Sequence, residues 1–189
     1  MRVGLLIVGL IAVSACNRSP EASAAGTNGG GAVVHDKAPE VVVFEQLRSG
    51  IYQLDVATDA MERATNRLRP FAAGKPEETR GALQAVVDYL DSAAGTVVEL
   101  NDVPTQEEVR ADFKTFDERR LQAIEEAEDA RRDVEQAASV MDDLLASNPP
   151  ADAKATLQEI DDLLEEAIDA LEGSIEAFGG KVRAGSGAG

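Results

Sequence analysis

The thiol of Cys16, the imidazole of His35 and thirty-five aspartate and glutamate carboxylates are the side chains of this chain with most scope for chemistry. Serine or cysteine catalysis needs a base beside the nucleophile, and zinc needs His and Cys ligands at set spacings. The Glu-x-x-His di-iron motif of helical bundles needs two histidines. One cysteine and one histidine cannot supply any of these, and a Cys-x-x-Cys-His haem attachment is likewise absent. "GTNGGG" (Gly26–Gly31) is not followed by the Lys-Ser/Thr of a phosphate-binding loop, and no segment has the Asp-x-Asp-x-Asp-Gly spacing of a calcium loop. The carboxylates of "EEAED", "MDDLL" and "EIDDLLEEAIDALE" alternate with apolar residues at helical spacing, which puts them on a solvated reverse face. The chain therefore reads as non-catalytic, with no metal and no cofactor.

Cys16 sits in a different context. Met1-Arg2 supplies one positive charge, and Val3–Val13 ("VGLLIVGLIAV") runs without a charge for about half the ~20 residues a transmembrane helix requires. A charged start, a short apolar run and small residues make an export signal peptide. The small residues are Ser14 and Ala15, and the chain's one cysteine follows them directly.

The stretch Val13-Ser14-Ala15-Cys16 resembles the lipobox of bacterial lipoproteins, an aliphatic residue and two small residues before the cysteine. The resemblance implies that Cys16 is alkylated with diacylglycerol, that the Ala15–Cys16 bond is cleaved, and that the new amino terminus is acylated too. Asn17 is not the aspartate that retains many such proteins at the inner membrane, so the family pattern leans towards the outer membrane. The expected location is outside the cytoplasm, lipid-anchored to the cell membrane or outer membrane and facing the periplasm or exterior. With no second cysteine, an intramolecular disulfide is excluded.

The charge of −17 argues against nucleic acid, whose phosphates would be repelled. It also removes any electrostatic grip on anionic lipid, leaving the lipid on Cys16 as the contact with the membrane. Hydrophobic residues make up 44% of the chain but aromatics only 4%, without tryptophan. An aliphatic, alanine-rich core of that kind suits close helix packing.

Positioning elements follow from the hydrophobic period. Asn17–Ala38 is rich in Gly, Ala, Ser and Asn, has no period, and reads as a flexible tether containing His35. From Pro39, a 3-4 spacing through Phe44, Leu47, Ile51, Leu54, Thr58, Met61, Thr65 and Leu68 predicts a long helix that outweighs the strand-like "VVV" and stops at Pro70. Pro76 and Glu77-Glu78 open a second helix with Leu83, Val86, Val87, Leu90, Ala94, Val97 and Leu100 on its apolar face. Thr105 and Glu108 form a capping box before a third helix reaching about Ser147. Its stripe runs through Val109, Phe113, Phe116, Ile124, Ala127, Val134, Ala138, Met141 and Leu145, with Arg120 and Arg131 weakening the middle, which is expected to be exposed or kinked. A fourth helix carries Leu157, Ile160, Leu164, Ile168, Leu171, Ile175 and Phe178, and Gly179-Gly180 ends it.

The expected fold is all-α: an elongated antiparallel four-helix bundle over 39–178, after a signal peptide (1–15) and a tether (16–38) and before a loose tail (179–189). Two functions fit it. One is a structural or interaction lipoprotein whose partner is another envelope protein or the cell wall; the other is a bundle that holds a small or cationic ligand in a cleft.

Overall fold

A computed structural model describes residues 37–97 and 102–182, and these form helices without a strand. The elements are α1 (Pro39–Ala72), α2 (Glu77–Val97), α3 (Gln106–Ala111), α4 (Phe113–Ala146) and α5 (Ala151–Ala177). The all-α expectation agrees with this; the count of four helices does not.

The expected third helix is two. Asp112 breaks it with φ −137° and ψ 58°, and serves both sides of the break. Its backbone N–H donates to the Glu108 carbonyl at 3.0 Å, closing α3, while its side chain accepts from the Thr115 N–H at 3.4 Å, opening α4. An aspartate at an N-cap satisfies a donor that the helix itself leaves without a partner. The capping box at the start of α3 forms as the spacing predicts. Glu108 N–H donates to Thr105 Oγ1 at 3.3 Å, and the Thr105 N–H donates to the Glu108 carboxylate at 2.7 Å. That backbone hydrogen bond, followed by the Thr105 hydroxyl, holds the Glu108 carboxyl below the usual glutamate range.

Helix ends elsewhere differ from expectation by a turn or less. α1 continues through Pro70 to Ala72, because a proline in the last turn forfeits few hydrogen bonds of the helix it ends. Gly179 ends α5 with φ 89°, a left-handed conformation that suits glycine. Its N–H donates to the Glu176 carbonyl and that of Gly180 to the Ile175 carbonyl, which together make a Schellman cap. Asn148 (φ 59°) ends α4 in the same backbone region, and Pro149 follows.

Contacts fix the relative directions of three long helices. Along α1, Gly50, Gln53, Arg63 and Arg67 meet Phe178, Gly173, Glu166 and Glu159 of the α5 segment in reverse order, so the two helices are antiparallel. Arg120 and Arg131 of α4 meet Phe178 and Glu172 in reverse order as well. α1 and α4 therefore run the same way, both against α5. α1 packs chiefly on α5 and α2 chiefly on α4; α3 lies against α1 and α4.

The core is aliphatic, as composition predicts, but alanine fills more of it than the spacing of large residues shows. Ala57, Ala60 and Ala64 of α1 and Ala123, Ala127, Ala130 and Ala137 of α4 are fully buried. Phe44, Thr58, Ala94, Phe116, Ile124, Ala138, Leu145 and Ile168, all assigned to stripes, are half-buried, and Phe113 is exposed. Leu100 lies outside the described residues. The clearest interlock is at Gly50, where an added Cβ would lie 2.3 Å from the fully buried Phe178 ring. α1 has a glycine there because the ring occupies the space a side chain would need.

Candidate functional site

Every site residue expected from the sequence, namely Val13, Ser14, Ala15, Cys16 and Asn17, lies outside the described residues, as do His35 and the tether up to residue 36. What the described residues offer is a set of polar clusters and surface grooves on the helices.

Arg131 corrects the expectation that the middle of the third stripe is exposed or kinked. It is buried, at 6% exposure, between alanines of α4. Its guanidinium donates to Glu135 at 2.7 Å, one turn along α4, and to Glu172 of α5 at 3.2 Å. A buried guanidinium is tolerated when carboxylates pair with it, and both of these keep part of their surface in water. α4 is continuous through this point. The second stripe arginine, Arg120, is held by Asp117 and donates to the Phe178 carbonyl at the end of α5, where a cation suits the negative pole of the helix.

Carboxylates outside these pairs are mostly exposed, as their placement in the sequence predicts. Asp161 differs from them in how tightly it holds its proton. Partial burial, then Asp142 across the α4–α5 seam and Glu165 and Asp162 beside it, push its carboxyl above the usual aspartate range. Among the described residues, no group of three or more His, Cys, Asp or Glu side chains is arranged to hold a metal ion.

Several open grooves flank α1, and two of them measure about 550 Å³ or more. One, of about 580 Å³, lies against α5 and is crossed by the exposed ion pairs Arg63–Glu166 and Arg67–Glu159 at 3.2 and 3.0 Å. The other, of about 550 Å³, is lined by Phe44, Glu45, Arg48, Ser49, Tyr52 and Asp55 of α1 and by Val103 ahead of α3. The second groove differs in chemistry. Tyr52 is 65% exposed and Val103 48%, so an aromatic ring and a branched aliphatic side chain face solvent together. Glu45 at its edge is paired with Lys37 at 2.6 Å.

Sequence reasoning passed over this groove because Tyr52 sits one position off the α1 stripe. The available signal was an aromatic on a polar face in a chain with two tyrosines and no tryptophan. Val103 carried no such signal, since a loop residue is placed by tertiary packing.

Among the described residues no helix is long and apolar enough to cross a membrane. Comparison with protein-family models, curated proteins and solved structures found no match.

Proposed function

We propose that this chain is an exported lipoprotein, anchored through lipid on Cys16, with a non-catalytic interaction role in the cell envelope. One observation carries the reading. The chain's only cysteine stands directly after Val13-Ser14-Ala15, at the end of a charge-free apolar run that begins at Val3. The role of Cys16 is to receive diacylglycerol, and cleavage at Ala15–Cys16 makes it the amino terminus. Two or three acyl chains there give lasting attachment, since one alone binds a bilayer reversibly.

The long helices α1, α2, α4 and α5 form an up-down-up-down four-helix bundle, with α3 as a short insert before α4. Twenty-two residues, Asn17–Ala38, separate the lipid from this bundle, a reach of roughly 25 Å for a flexible chain. The partner is another envelope protein or the cell wall, met by exposed helix faces within that reach and the length of the bundle. Support comes from the charged surface and from grooves that are open and shallow.

Shortening Asn17–Ala38 tests the interaction role. The shortened protein should fold and be lipidated as before, yet lose the crosslinks that the full chain forms in the native envelope. Unchanged crosslinks and phenotype would contradict a bridging role and favour a bundle that binds a small or cationic ligand within Pro39–Phe178.

A further inference from the structure

The exposed face of α1 beside Val103 carries a charge pattern that is complementary to itself. Arg48, Tyr52 and Asp55 lie within about 60° of one another around the helix at 3.6 residues per turn, and all three line the same groove. Arg48 and Asp55 are seven residues apart, two turns or about 10 Å, with Tyr52 between them. Their neighbours on α1 are neutralised within the chain: Glu45 by Lys37 and Asp59 by Arg63 at 3.1 Å. Among the described residues, neither Arg48 nor Asp55 has an ion-pair partner.

When a helix packs antiparallel on its own copy, residues that are equidistant from the two-fold axis on opposite sides face each other. An axis midway between Arg48 and Asp55 passes beside Tyr52. It sets Arg48 of each copy opposite Asp55 of the other, giving two identical ion pairs from one contact. The two Tyr52 rings then meet beside the axis, each facing the turn of the partner's α1 that carries its own Tyr52. Tyr52 and Val103 leave water at the centre while the ion pairs stay at the rim, the usual arrangement of an apolar centre and polar border. A parallel pairing, by contrast, would set Arg48 against Arg48.

We propose that this face of α1 is a homodimer interface, with a second copy of this chain as its occupant and Tyr52 beside the two-fold axis. The charge complementarity of Arg48 and Asp55 across that axis selects a second copy. The proposal is independent of lipid attachment, because it concerns only α1 and Val103.

The test is a charge exchange, read by sedimentation equilibrium of the full chain in mild detergent. The wild-type chain should show a concentration-dependent monomer–dimer equilibrium in the micromolar range. Arg48→Asp and Asp55→Arg should each weaken it about tenfold or more by placing like charges opposite each other. The double variant Arg48→Asp/Asp55→Arg should return to near wild-type affinity, because the exchanged charges face each other again. Both positions of change are on an exposed face, and an unaltered circular dichroism spectrum verifies folding. A monomer at every concentration overturns the proposal and leaves the groove to a different occupant. A dimer that ignores both single changes, or a double variant as weak as the singles, overturns it as well.

Discussion

α4 and α5 lie side by side and antiparallel, yet they bury different chemistry. α5 turns inward Leu157, Ile160, Leu163, Leu164, Leu171 and Ile175, large branched side chains that fill volume. α4 turns inward Ala123, Ala127, Ala130 and Ala137, with Val134, Met141 and the charged Arg131 among them. Small residues bring a helix close to its neighbours but remove little apolar area from water. α5 is thus held mainly by burial. α4 depends more on close approach and on the two carboxylates that pair with Arg131.

The sharpest test of that difference is a charge at the centre of α5. Leu164 is fully buried, and Leu164→Asp should cost several kcal/mol and leave the domain unfolded or nearly so in urea titration. Glu165→Ala, one position round the same helix and exposed, should change stability by less than about 0.5 kcal/mol. Equal effects at the two positions would contradict the inward face assigned to α5.

Arg131 separates the roles of charge and volume in α4. Arg131→Ala removes both and should destabilise by about 2 kcal/mol in chemical denaturation. Arg131→Met keeps an aliphatic chain in the space, and the half-exposed Glu135 and Glu172 regain solvent, so the loss should be less than half as large. If methionine proves as costly as alanine, the ion pairs outweigh the packing and the contrast between the helices deepens.

A smaller effect is expected where the two helices bring carboxylates together. The folded chain binds the Asp161 proton more tightly than the unfolded chain does, because burial and Asp142 disfavour its ionised form. Stability from this group is therefore highest at acid pH and falls as pH rises from the ordinary aspartate value through the raised one. Asp161→Asn should be slightly more stable than the parent at neutral pH, with the difference vanishing in acid. Thermal melts across that range check the sign, and a variant less stable at neutral pH would contradict it.

The same pair of helices shows how far the sequence could be read. The α5 stripe is legible residue by residue because large aliphatics recur every three or four positions without interruption. In α4 the period is carried by alanine, which also occurs freely on helix surfaces, so spacing alone could not separate Ala137, which is buried, from Ala138, which is half-buried. Arg131 reads as a fault in the stripe until Glu135 and Glu172 are seen on either side of it. The break at Asp112 was equally hidden, since an aspartate inside a polar run gives no sign that it will cap one helix and end another. The groove on α1 depends on Val103 being brought beside Tyr52 from fifty residues away, a tertiary fact. Cys16 presents the opposite case: the resemblance that Val13-Ser14-Ala15-Cys16 carries is purely local in sequence, and these residues lie outside the described ones.

Lipid on Cys16 is the central claim, and replacing that one sulfur tests it most directly. Cells expressing the full chain or its Cys16→Ser variant would be fed a tagged palmitate and the protein recovered. The account predicts tag on the wild-type chain at Cys16, with residues 1–15 removed, and an untagged Cys16→Ser chain that accumulates as uncleaved precursor. A wild-type chain without tag, or a Cys16→Ser chain processed and membrane-bound like the wild type, would contradict it.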